Sequence, residues 1–104
     1  MTSGISPKAQ AFEFLAASGG LLAEKDLLRR LCPRIQAQYR AWYQTRTACA
    51  KRAIEELIGS DCVARGPDDW LSIVGPLTVP LFGGGRVFEL SLHPSGRGLR
   101  IRRC

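Results

Sequence analysis

Residues 42–58, WYQTRTACAKRAIEELI, are the longest stretch of the 104-residue chain with helical periodicity. Wound at about 3.6 residues per turn, Ala50, Ala53, Ile54, Leu57 and Ile58 gather on one side, with Tyr43 near the same line. The other side carries Gln44, Thr45, Ala48, Lys51, Arg52 and Glu55. That division predicts a helix docked on a core by its apolar stripe and free on its other side. The first two turns of the polar side offer an amide, a hydroxyl and a methyl group before any acid. Arg40 lies just upstream, and Lys51 and Arg52 lie beyond. Short polar and methyl groups flanked by cations are what a helix uses to read base edges in a groove. A plainly solvated helix face meets the same description.

Upstream, Ser6-Pro7 is a helix start, with serine as cap and proline at the first helical position, where its missing N–H costs nothing. This first helix is expected to run to about Ser18, to bury Phe12, Phe14 and Leu15, and to close at Gly19-Gly20. Leu21-Leu22 is too short for a helix and reads as an extended piece entering the core. A second helix is expected over roughly 23–31. Glu24 and Asp26 lie in its first turn and Arg29 and Arg30 in its last, as the helix dipole favours. Leu27, Leu28 and Leu31 form its apolar stripe, and Pro33 stops it. Residues 34–41 fit either a connecting turn or an early start to the third helix.

Downstream, Gly59-Ser60 break the period. Residues 62–65 and 70–74 read as two strands joined by Gly66-Pro67-Asp68-Asp69, which is hairpin-loop chemistry. Alternation is read as placing Val63, Leu71 and Ile73 inward, with Arg65, Trp70 and Ser72 outward or at the tip. Beyond Gly75, Leu77, Val79 and Leu81 alternate, but Pro76 and Pro80 restrict that segment to an edge or extended piece. Residues 87–92 and 99–102 alternate again around Pro94-Ser95-Gly96, predicting a hairpin with arginine along its other face. Gly83-Gly84-Gly85 is not a phosphate-binding loop, because no lysine and hydroxyl residue follow and no helix begins there.

The formal charge is +6, and it is uneven. Residues 1–74 hold ten Lys/Arg against eight Asp/Glu, while residues 75–104 hold five arginines against Glu89 alone. A polyanionic partner is therefore plausible on bulk grounds. With 45% apolar residues, the chain can bury one modest core. Cys32, Cys49, Cys62 and Cys104 form no C-x-x-C pair and His93 is the single histidine, so no zinc-finger spacing exists. Asp68-Asp69 has no further ligands at useful spacing, and His93 beside Pro94 has no nucleophile near it in sequence. A non-enzyme without cofactor or metal is expected. No signal peptide or membrane-spanning run is present, so an intracellular setting, nuclear or cytoplasmic, is expected, with no membrane partner.

The order helix, short extended piece, helix, helix, two-stranded hairpin gives an α+β chain. Its local text, AFEFLAASGGLLAEKDLLRRL at 11–31 and AIEELIGSDCVARGPDDWLSIV at 53–74, resembles the winged helices at the N-termini of Sosondowah-type ankyrin-repeat proteins. It is similar, more loosely, to LOTUS domains. The resemblance covers residues 6–74 and implies a winged-helix domain there. Residues 75–104 would be a Pro/Gly-rich connection and a basic C-terminal β-hairpin. It further implies that 42–58 is a recognition helix, that the wing lies at 65–69, and that the partner is DNA or RNA or, in a minority of such domains, a protein. Asp68 and Asp69 in the wing, and Glu55 and Glu56 at the far end of the helix, depart from a strong phosphate binder.

Two functions follow. In the first, Arg40, Lys51, Arg52 and Arg65 neutralise phosphates, Gln44, Thr45 and Ala48 face bases, and Arg100 and Arg102 add an auxiliary grip. In the second, exposed aromatics such as Trp70, Tyr39 and Trp42 anchor a protein partner, or residues 86–92 pair with a partner strand. The cysteine pattern gives a first prediction. Alkylation without reductant, followed by intact-mass measurement, should find four free thiols; an intramolecular disulfide in protein kept from air oxidation would overturn it.

Overall fold

A computed structural model describes residues 6–35, 45–81 and 86–103. Among these, three α-helices and two small antiparallel sheets make a mixed α+β architecture. Helix α1 spans Pro7–Ala17 and starts where Ser6 Oγ accepts the N–H of Ala9 at 3.2 Å. It closes at Gly19 and Gly20, whose φ angles of +82° and +84° are positions side chains rarely adopt. The Gly20 N–H donates to the Leu15 carbonyl at 2.8 Å. Strand β1 is Leu21–Ala23, and α2 follows at Glu24–Leu31 with acids in its first turn and arginines in its last. Pro33 ends it through a 3-10 turn at Cys32–Arg34.

Helix α3 is Arg46–Gly59, starting later than the expected residue 42. The reason is local: Thr45 is extended, at φ −138° and ψ 160°, and its Oγ1 accepts the Ala48 N–H at 3.0 Å. A threonine that caps a helix cannot also lie inside it. Cys49, Ala50, Ala53, Ile54 and Leu57 face the core at helical spacing. The expectations placed on Tyr39, Arg40, Trp42, Tyr43 and Gln44 lie outside the described residues.

Strands β2 (Val63–Arg65) and β3 (Trp70–Ile73) complete the first sheet, in the order β1-β3-β2. Between them, Asp68 and Asp69 sit at φ +57° and +58°, a conformation aspartate tolerates better than most residues. The second sheet adds a third strand to the expected hairpin. Leu77–Leu81 forms β4 and joins Arg86–Leu92 (β5) and Leu99–Arg103 (β6) in the order β4-β5-β6. Pro80 is accommodated because β4 is an edge strand, where a missing N–H breaks no ladder on its outer side.

The two sheets, which meet near residues 74–76, share one core. Leu77, Val79 and Leu90 are buried in one cluster with Phe12, Leu31, Ile54, Leu57 and Leu71. Leu28 and Ile73 pack against it. Helix α1 contacts α2, α3 and both sheets, so it is the element around which the rest is laid. Among the described residues, no helix is long and apolar enough to cross a membrane.

Two glycines test this packing. A Cβ on Gly20 would stand 3.0 Å from a Leu92 methyl at a disfavoured φ, whereas a Cβ on Gly59 would meet nothing within 4 Å. Gly20→Ala should lose about 1–3 kcal/mol of unfolding free energy in urea titration. Gly59→Ala, near the end of a helix, should be neutral or gain up to about 1 kcal/mol. Equal effects would mean that the α1–β1 turn is not the tight junction described.

Candidate functional site

The exposed side chains of α3 include Arg46 in its first turn and Thr47, Ala48, Lys51, Arg52, Glu55 and Glu56 on its outer face, following the exposed cap Thr45. The buried residues 49, 50, 53, 54 and 57 hold the helix by its opposite stripe, so residues 47, 48, 51, 52, 55 and 56 point away from the core, whereas Arg46 lies in line with Ala50, Ala53 and Leu57 and is exposed because it stands in the first turn. Among the described residues, Arg46, Lys51 and Arg52 form no ion pair. Arg46 and Thr47 were not among the expected site residues. Starting the helix at 42 hid the fact that they occupy its first turn. Thr45 keeps its place beside the face, but its oxygen is used in the cap.

Arg65 behaves differently from its expected role. In register it stands opposite Leu71, which is wholly buried, and partners directly opposite share one face of a sheet. Its side chain therefore leaves β2 on the same side as Val63, toward the helices, not outward. There its Nη2 lies 2.6 Å from Glu24 Oε1 and 2.7 Å from Glu55 Oε2, and its Nε donates to Glu24 Oε1 at 3.1 Å. Asp69 stands farther off, at 3.9 Å. The hydrogen bonds Arg65 donates to Glu55 and Glu24 raise its pKa further above its ordinary value. A cation with a raised folded pKa keeps its contribution to stability until the pH climbs past that value, so Arg65 stays charged throughout the working range. The guanidinium thus ties β2 to the start of α2 and to the last half of α3.

Beside this cluster lies a cleft of about 290 Å³, lined by Ala23, Glu24, Lys25, Leu28, Lys51, Asp68 and Asp69. Its charges are mixed, with lysines on the helices and acids on the β2–β3 turn. Arg100 and Arg102 are exposed on β6, opposite Ser91 and Glu89, in the sheet that packs on α1. The structure therefore brings Arg65 to Glu55 and sets Lys51 and the turn acids around one cleft. It places Arg100 and Arg102 on a different sheet. Residues 86–92, expected to take up a partner strand, form the central strand β5 with both edges already paired.

Two further features complete the surface. Trp70, Ser72 and Val74 alternate along β3, which is prolonged by the Val74 N–H donating to the Cys62 carbonyl at 2.9 Å. Leu21 lies opposite Ser72 on the same face. Leu21, Trp70 and Val74 are 52%, 45% and 59% exposed, so the outer face of the first sheet carries an apolar strip. His93 accepts the Ser95 N–H at its Nδ1, 3.1 Å away, and serves the β5–β6 turn. Among the described residues, no three His, Cys, Asp or Glu side chains converge as a metal site. Cys32, Cys49 and Cys62 are free. Burial pushes the Cys49 thiol up, with Cys32 adding to the shift, and burial also raises Cys62 against a lowering by Lys8.

The Arg65 cluster gives a measurable expectation. A third of the side chain is exposed, so the pair is screened. A double-mutant cycle of Arg65→Ala with Glu55→Gln should return a coupling of about 0.2–1 kcal/mol that shrinks in high salt. No coupling at low salt would mean that the two groups do not meet in solution. No protein-family model matches this chain, and neither a curated protein nor a solved structure matches it.

Proposed function

We propose that the chain is a winged-helix nucleic-acid-binding module in which α3 is the recognition helix. Among the described residues, the order α1, β1, α2, α3, β2, β3, with β3 between β1 and β2, supports the winged-helix reading. The observation that carries the function is the charge state of the α3 face. Arg46, Lys51 and Arg52 are exposed and without ion pairs among the described residues. The nearby acids Glu55 and Glu24 are held by Arg65. The first half of the helix therefore presents net positive charge, with the small side chains Thr47 and Ala48 between the cations.

Arg46, Lys51 and Arg52 neutralise phosphates, while Thr47 and Ala48 stand near base edges. Arg65 is not a phosphate contact in this reading. It removes repulsion by holding two carboxylates away from the approaching backbone. The turn acids Asp68 and Asp69 keep the wing off phosphate, so docking relies on the helix.

A second reading has its own observation. The strip of Leu21, Trp70 and Val74 is the kind of exposed apolar surface that binds proteins, with tryptophan as the anchor. Trp70→Ala would abolish such binding and leave nucleic-acid affinity unchanged.

The test is salt-dependent binding to a mixed-sequence duplex and to RNA. Three phosphate contacts predict a log–log slope of about −2.7 on B-form DNA, and Lys51→Ala/Arg52→Ala should reduce its magnitude by about 1.8. Arg65→Ala should weaken binding, and adding Glu24→Gln and Glu55→Gln to that variant should restore it. If the folded Lys51/Arg52 variant binds as tightly as the parent at low salt, α3 is not the recognition helix.

A further inference from the structure

We propose that the free edge of β6 takes up an extended acidic peptide as a fourth strand of the second sheet. Strand β6, LRIRR, pairs with β5 on one side, and no described strand lies on the other. An unpaired edge offers a row of N–H and C=O groups that a partner strand can complete. Residues 100–103 are all exposed, and among the described residues Arg100, Arg102 and Arg103 form no ion pair.

The register assigns each side chain a face. Arg100 and Arg102 stand beside Ser91 and Glu89 on the outer face. Leu99, Ile101 and Arg103 stand beside Leu92, Leu90 and Phe88 on the face turned to the core. Leu90 is buried there, yet its neighbour Ile101 is 58% exposed, with no described strand beyond β6. A fourth strand would therefore set an apolar side chain against Ile101, extending the cluster by one rung. Its flanking residues would meet Arg100 and Arg102 on the other face. The complementary sequence alternates acid, apolar, acid.

Charge also selects the occupant. Two copies of β6 paired edge to edge would bring arginine against arginine, so the edge repels a second copy of this chain and attracts an acidic strand. Arginines alone would serve only to blunt the edge, as charged residues often do. The exposed isoleucine between them is what a blunted edge would lack. A nucleic acid would also meet these arginines, but it has no use for the strand amides or for Ile101.

The experiment uses the full chain and two fluorescent eight-residue peptides of identical composition. One alternates glutamate and valine, and the other carries the four glutamates and four valines in separate blocks. The alternating peptide should bind about tenfold tighter, as two cross-strand charge pairs with one apolar pair imply. Arg100→Ala/Arg102→Ala should remove most of that advantage, and so should Ile101→Asp. On binding, amide exchange should slow at alternate residues of β6 and not in α3. Equal affinity for both peptides would reduce the edge to a nonspecific cationic patch and overturn the proposal. So would slowed exchange at β6 with duplex DNA in place of peptide, or no binding of either peptide. Nucleic-acid binding through α3 is read separately, by the Lys51/Arg52 variant.

Discussion

The turn at Gly19-Gly20 is the constraint on which the remaining packing depends. Both residues lie at positive φ, and both sheets are fastened within a few residues of them. The Gly20 carbonyl accepts the Ile73 N–H at 2.9 Å, which ties β3 to the end of α1. The Ala16 carbonyl accepts the Gly98 N–H at 2.8 Å, which ties in the β5–β6 turn. Leu92 fills the space that a Cβ on Gly20 would need. With no side chain at this point, α1 can touch the first sheet and the second at once. One cluster then runs from Ile54 on α3 through Phe12 to Leu90 on β5. Hydrophobic burial supplies the stabilisation, and the glycines supply the geometry that makes it continuous.

That core fixes what α3 can present. Its buried stripe is set by small and branched residues, which let the helix lie close to α1 and leave the cations of its first half in solvent. Arg65 reaches the helix from β2 because it shares a face with Leu71 and Val63 at the end of a short strand. It meets Glu55 there, one turn beyond Lys51. The same arginine thus adds little to stability, as exposed pairs do, and changes the field at the surface by neutralising acids. Function, in this account, follows from which charges are spent on each other and which are left over.

Much of this was legible in the residues. The Ser6-Pro7 start, the Gly19-Gly20 stop and the buried Phe12, Leu15, Ile54 and Leu57 follow from local chemistry and period. What failed was tertiary or cooperative. The start of the third helix was placed too early because the apolar period does not reveal a cap, and Thr45 looked like one more polar residue. Arg65 was read as outward although it lies two residues from the inward Val63. Strict alternation places both on one face, and the helix acids that receive the arginine are far away in sequence. Leu77–Leu81, restricted by its prolines to an edge or extended piece, is the edge strand β4, and what its residues did not reveal is that it pairs with β5. The exposed strip of Leu21, Trp70 and Val74 was only partly visible, since it needs the pairing of β1 with β3.

The central claim is that nucleic acid meets the first half of α3 and avoids the wing. The most direct measurement is an amide-resolved NMR titration of the labelled chain with a short mixed-sequence duplex. The account predicts shifts concentrated at residues 45–52, with residues 66–70 and the Leu21–Trp70 face unmoved. Shifts confined to the wing or to that apolar face, with α3 silent, would contradict it.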